Sequence, residues 1–173
     1  FLYFCRGKLL VYDRLDSAFT FRLAGVTFEK IKIKAVLSEF LAVESDVRTL
    51  SLANSSINGE FRMDKFVLPD TIDLSNVDMS NAEGNIDLTN YRPTDKICLI
   101  NLYGTDVSRI RLDYRNFKLF FLPNDDSKEK QDEVIESIFV KLLEGFKNRG
   151  MEWSYRMLDV DYREYLHTRN GSL

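Results

Sequence analysis

Ile72-Asp73-Leu74-Ser75-Asn76, Val77-Asp78-Met79-Ser80-Asn81 and Ile86-Asp87-Leu88-Thr89-Asn90 share one pattern: aliphatic, Asp, aliphatic, polar, Asn. The pattern returns in Ile100-Asn101-Leu102-Tyr103-Gly104, Thr105-Asp106-Val107-Ser108-Arg109 and Ile110-Arg111-Leu112-Asp113-Tyr114, and fades at Arg115-Asn116-Phe117. A helix repeats its apolar face every 3.6 residues and a flat strand every second residue. Neither yields apolar pairs two apart that recur every five. A short strand followed by a bend does, because two side chains point inward around an outward polar one. The Ser, Thr, Asn or Gly that follows then turns the chain, by side-chain hydrogen bonding to the backbone or by accepting left-handed dihedrals. Bends repeated in one sense wind the chain into a coil whose turns pair as a parallel ladder around a column of inward residues.

The same rule traces a fainter series upstream. Its central positions are Phe28, Ile33, Leu37, Ala42, Val47, Leu52 and Ile57, preceded two residues earlier by Val26, Ile31, Ala35, Phe40, Ser45, Leu50 and Ser55. The expected solenoid runs from about Val26 to Phe121. Ile72, Leu74, Val77, Met79, Ile86, Leu88, Ile100, Leu102, Ile110 and Leu112 are expected inside, and Phe61 to Pro69 (FRMDKFVLP) reads as a break. Phe1 to Cys5, with Leu9 to Tyr12, reads as a first strand; the other reading of Phe1 to Cys5 is the end of a signal peptide or membrane helix.

At these blocks the chain resembles the pentapeptide-repeat family, whose motif is a small or aliphatic residue, Asp or Asn, Leu and two variable positions. The resemblance implies a right-handed, four-sided parallel β-helix with about four units per coil. Here the first position is more often Ile or Val than Ala, so the expectation is an irregular coil with a wider core. A leucine-rich-repeat-like solenoid is the alternative, suggested by Leu50-Ser51-Leu52-Ala53-Asn54. The spacings from Leu74 to Leu88 and from Leu88 to Leu102 are too short for it.

Beyond Pro123-Asn124-Asp125-Asp126-Ser127, a turn with acids at a helix start, the pattern becomes helical. Ile135, Ile138, Phe139, Leu142, Leu143 and Phe146 form one stripe; Gly150 stops it; Met151, Tyr155, Leu158, Tyr162, Tyr165 and Leu166 form a second. The chain thus divides into a solenoid with an N-terminal strand or cap (1–122) and an α-helical hairpin (123–173) that covers an otherwise open end. A DNA-reading helix-turn-helix is disfavoured, since Glu152, Asp159, Asp161 and Glu164 outweigh Arg156, Arg163 and Arg169. Phe146 to Gly150, Ser154 to Arg156 and Asp159 to Tyr165 resemble the segment after the solenoid in bacterial membrane-associated pentapeptide-repeat proteins. That resemblance implies a region lying outside the bilayer, with membrane segments elsewhere in a longer protein, and no catalytic residues.

Composition narrows the function. A formal charge of −3 gives no basic footprint, which argues against nucleic acid as a partner. The lone His167 removes most histidine-based metal and triad chemistry, and Cys5 and Cys98 have no CxxC spacing. Asp73, Asp78, Asp87 and Asp106 form a ladder that would need to converge to hold Ca²⁺. An acidic DNA mimic that inhibits a DNA-processing enzyme is a further alternative, although Lys65, Arg92, Lys96, Arg109, Arg111, Arg115 and Lys118 interrupt the negative surface. Trp153, Tyr155, Tyr162 and Tyr165 are the candidate partner-binding residues, aromatics being favoured at interfaces. The expectation is therefore a non-catalytic binding or scaffold module without cofactor, metal or small-molecule substrate. Its partner is a protein or its own membrane segments, and its setting is membrane-associated, with a free cytoplasmic scaffold as the alternative.

Overall fold

A computed structural model describes residues 2–122 and 127–171. Of the expected turn at 123–127 only Ser127 is among them; Phe1 and the last two residues of the expected hairpin, 172–173, also lie outside. Ten strands wind as an all-parallel solenoid of about 6 turns, followed by two helices. The strands are β1 (Leu2–Tyr3), β2 (Arg6–Ala24), β3 (Thr27–Val43), β4 (Asp46–Ser51), β5 (Ser56–Asp64), β6 (Thr71–Asp73), β7 (Ile86–Asp87), β8 (Cys98–Asn101), β9 (Ile110–Arg111) and β10 (Phe117–Leu119). The helices are α1 (Lys128–Asn148) and α2 (Glu152–Asn170). Between strands the only described helical turn is the 3-10 segment Val107–Arg109, which is not the strand–helix alternation of a leucine-rich repeat.

The inward residues stack in columns. Leu10, Ile31, Leu50, Ile72, Ile100 and Leu119 follow one another through the ladder, as do Phe21, Phe40 and Phe61. Every residue expected inside from Ile72 to Leu112 is buried, and so is every member of the fainter series, including Ser45 and Ser55. Burying two apolar side chains per short side is what drives the coil, at roughly 25 cal/mol per Å² of apolar surface.

Two differences from the sequence reading have clear causes. The coil begins well before Val26: β2 pairs with β3 from Arg6 to Ala24 and forms a full first turn. A register shift between Arg14 and Ala18 loops out Leu15, Asp16 and Ser17, which hides the period. Phe61 to Pro69 does not break the coil either, since Phe61, Met63, Phe66 and Leu68 are all buried. Here the corner is made by Lys65 at φ +47°.

Lys65 belongs to a column of left-handed corners. Phe4, Gly25, Glu44 and Lys65 all have φ between +44° and +59°, each following the residues aligned as Tyr3, Ala24, Val43 and Asp64. The amides of Phe4, Gly25 and Glu44 donate to the carbonyls of Ala24, Val43 and Asp64 on the next turn, at 2.9–3.0 Å. A second column comprises Asn54, Asn76 and Gly104, the kinds of residue that accept this conformation most readily. Asn76 Nδ2 donates to Asn54 Oδ1 at 3.3 Å, so the corner side chains also ladder.

Candidate functional site

The Asp ladder resolves into corner chemistry. Oδ1 of Asp73 accepts from the backbone N–H of Ser75 at 3.1 Å and from its hydroxyl at 2.7 Å. Asp87 does the same with Thr89 (2.9 and 2.6 Å), and Asp106 with Ser108 (3.2 and 2.8 Å). Asp78 accepts from the Ser80 amide at 2.9 Å, which holds its carboxyl below the usual carboxylate range. Each carboxylate thus closes its own turn, two residues on. The register sets Asp73 between Ser51 and Asn101, and Asp87 between Arg62 and Arg111. Among the described residues no group of three or more His, Cys, Asp or Glu gathers in a metal-holding arrangement. Asp73→Ala is expected to cost about 1 kcal/mol, the scale of a lost cap, whereas Asp73→Asn keeps the acceptor and stays within about 0.5 kcal/mol. Urea titration of both variants checks this; an Asn variant as damaged as the Ala variant would contradict the corner role.

Buried hydroxyls complete the corners. Ser55 Oγ donates to the Ile33 carbonyl and accepts from the Ala35 amide of the adjacent turn, at 3.0 and 3.2 Å. Thr105 Oγ1 bridges the Leu74 carbonyl and the Val77 amide in the same way. At the last turn the helical hairpin supplies this group: Ser154 Oγ, on α2, accepts from Tyr114 N and donates to Asp113 Oδ1, both at 3.1 Å. Arg115, and to a lesser extent Ser154, hold the Asp113 carboxyl below its ordinary range. No buried side-chain nitrogen or oxygen among the described residues lacks a partner.

The cap is therefore keyed to the coil. Ile138, Phe139, Leu142 and Phe146 of α1 and Leu158 of α2 join the same hydrophobic cluster as the coil. Tyr114 is buried beside Phe146; its phenol donates to Asp161 Oδ2 at 2.7 Å and accepts from Leu119 N at 3.3 Å. Burial, and then the bond to Asp161, push that phenol well above its ordinary value. Tyr162 and Tyr165 are raised likewise, by burial and by bonds to Glu136 and Asp132. A phenol whose folded pKa is raised lends stability that is complete below the unfolded value of about 10 and fades as pH rises past it. The melting temperature should accordingly fall above about pH 10. Tyr114→Phe should cost about 1–3 kcal/mol at neutral pH, because it strands Asp161 and the Leu119 amide, and should flatten the alkaline decline. An unchanged alkaline profile in that variant would count against the clamp.

Of the four aromatic candidates, the structure separates three from one. Tyr162 and Tyr165 stack on Phe139 of α1, with ring centroids 5.1 and 5.6 Å away, and their hydroxyls bond to α1 carboxylates at 3.2 and 2.8 Å. Tyr155 is half-buried against the core. Only Trp153, 61% exposed, stands on the outer face of α2. Met157 and Val160 share that face one and two turns on, exposed as well, and the sequence reading missed them. Their signal was the i, i+4, i+7 spacing on the side opposite Leu158. Arg156 and Arg163 flank the stripe, paired with Glu152 and Asp159 at 2.9 and 2.8 Å. Beside the 3-10 turn, an open cleft of about 420 Å³ lies between Asp106 and Val107 on one wall and Glu133 and Lys141 of α1 on the other.

The class these features define is a parallel β-solenoid closed by an α-helical hairpin. Comparison with models of known families, with curated proteins and with solved structures gives no match. No helix among the described residues is long and apolar enough to cross a membrane.

Proposed function

We propose that the chain is a non-catalytic binding or scaffold module of the degenerate pentapeptide-repeat kind, working outside the bilayer in a bacterial membrane-associated protein. The observation that carries this reading is the division of labour on α2. One face, through Ser154, Leu158, Tyr162 and Tyr165, is spent on closing the coil. The opposite face displays Trp153, Met157 and Val160 to solvent. A buried apolar face explains a cap, whereas large exposed side chains in helical register are the chemistry of a protein interface, where Trp and flanking Arg supply most of the binding energy. The polar chemistry points the same way, since Asp73, Asp78, Asp87 and Asp106 are engaged in shaping the coil. Replacing Trp153 by a photo-crosslinking amino acid in cells that make the protein tests the reading. A discrete protein adduct is expected, reduced at least about tenfold by Met157→Asp with Val160→Asp, in line with the loss of a hot spot. Adducts that are absent, or indifferent to those changes, overturn it.

A further inference from the structure

The cleft where the coil meets the cap plays no part in the α2 interface, and its lining has a chemistry of its own. Its volume of about 420 Å³ falls in the range of small-molecule sites, and its walls belong to two different elements. On the coil side Gly104 turns at φ +71° and Thr105 is drawn inward by its bonds to Leu74 and Val77, so neither fills the space beside Asp106. On the helix side Glu133, Ser137 and Lys141 follow one another at four-residue steps on one face of α1. Val107 and Ile138, both buried, supply an apolar floor between the walls. Asp106, Glu133 and Lys141 are the charged residues that line the cleft, and all three are exposed. Asp106 commits Oδ1 to Ser108, and its other oxygen has no partner among the described residues. Neither Glu133 nor Lys141 has an ion pair among the described residues.

Glu133 and Lys141 lie eight residues apart, about 12 Å along the helix at its usual rise. The helix wall therefore has a negative end and a positive end, and Asp106 adds a second carboxylate from the opposite wall. A ligand that satisfies this arrangement carries an ammonium and a carboxylate at its two ends, with apolar and hydrogen-bonding groups between them. An extended tripeptide with free termini has all of these, since three residues span roughly 10 Å. Its ammonium meets Glu133 and Asp106, its carboxylate meets Lys141, and its backbone meets the Ser137 hydroxyl midway. An apolar central side chain then lies on Val107 and Ile138. Other occupants fit less well. Calcium takes about six to eight oxygens, more than this lining supplies, and a polyamine would set its second cation against Lys141. We propose that the cleft between the 3-10 turn and α1 binds short zwitterionic peptides, held at one end by Glu133 with Asp106 and at the other by Lys141. Because one wall is coil and the other is hairpin, a bound peptide ties the cap to the coil and stabilises the closed arrangement. This goes beyond the α2 interface, with which it shares no residue, and beyond the sequence reading, which found no small-molecule ligand.

The test is isothermal titration of the purified chain with the tripeptide Ala-Leu-Ala, with its N-acetylated form and with its C-terminal amide, alongside thermal melts. The free tripeptide is expected to bind and to raise the melting temperature. Each end-blocked form should bind at least about fivefold more weakly, the upper range for an exposed ion pair. Glu133→Gln and Lys141→Gln give the sharper result. Glu133→Gln should shrink the preference over the N-acetylated form and leave the preference over the amide, and Lys141→Gln should do the reverse. Both positions are exposed, and a melt without peptide that matches the parent confirms that each variant is folded. The end-blocked peptides test the parent chain itself, whatever the variants do. Absent binding overturns the proposal, as does binding indifferent to the end groups or a pattern of preference that both variants leave intact. An amide that binds as tightly as the free peptide assigns the cleft to amines alone and rejects the zwitterionic ligand. None of these outcomes touches the crosslinking result at position 153, so the two readings fail separately.

Discussion

Replacing Phe40 by Ala is expected to cost about 3–5 kcal/mol, the upper range for truncating a buried aromatic. Phe40 is fully buried and stacks between Phe21 and Phe61, with ring centroids 5.9 and 4.8 Å away and planes within 9° of parallel. The rings occupy one position on three successive turns, Phe21 opposite Phe40 and Phe40 opposite Phe61 in the ladder. Removing the middle ring opens a cavity flanked above and below. The walls cannot close on it, because β3 is held by parallel pairing to β2 on one side and to β4 and β5 on the other. A domain of this kind has about 5–15 kcal/mol of stability in all, so the variant should unfold at a much lower urea concentration. Phe40→Leu, which keeps most of the volume, should lose clearly less. A Phe40→Ala protein within about 1 kcal/mol of the parent would show that the coil narrows to fill the gap, contrary to the packing argued above.

The columns were legible because inward pointing is the one requirement every turn shares. The faint series from Val26 to Ile57 was found by position rather than by residue type, and it admitted Ser45 and Ser55, which are buried. Both serines earn their place by bonding the backbone, to the Val43 carbonyl and across the Ile33–Ala35 corner. The corners were legible only where residue type announces them, at Asn54, Asn76, Gly25 and Gly104. Phe4 and Glu44 adopt the same left-handed conformation with side chains that disfavour it, since the ladder bonds of their amides to the neighbouring turn impose it, and Lys65 continues the column. The Asp residues were taken for a surface ladder, yet each one bonds forward to the turn that the sequence reading credited to the Ser, Thr, Asn or Gly that follows. On α2 the aromatic count misled where the spacing did not. Tyr155, Tyr162 and Tyr165 lie on the side of Leu158, which faces the core, whereas Trp153, Met157 and Val160 lie opposite.

Gly59→Ala should be the most damaging substitution of a single methyl group in the chain. Gly59 lies buried within β5, and a Cβ built there falls 1.9 Å from the backbone oxygen of Ser38 on the preceding turn. The cause is a register shift: Leu37 pairs with Ile57 and Glu39 with Glu60, so Asn58 and Gly59 together face Ser38 alone. The Ser38 carbonyl leans into the space that any side chain at 59 would need. Ordinary contact begins at 3.4 Å, so β3 or β5 must move by more than an ångström. Neither strand is free to move, since Leu37 and Phe40 on one side and Ile57 and Phe61 on the other are buried in shared columns. Gly59 also passes the ladder on, its carbonyl accepting from the Glu83 amide at 3.1 Å. A cost of about 3 kcal/mol or more follows, at or beyond the usual range for overpacking. Gly84→Ala is the matched control. Its φ of +114° penalises a side chain, but nothing lies within 4 Å of the added methyl, so only the backbone strain of about 1–2 kcal/mol remains. Thermal melts of the two variants should therefore differ by several degrees, with Gly59→Ala the lower. Equal melts, or a Gly59→Ala protein as stable as the parent, would show that the turns slide past one another and that the ladder does not fix the spacing of the coil.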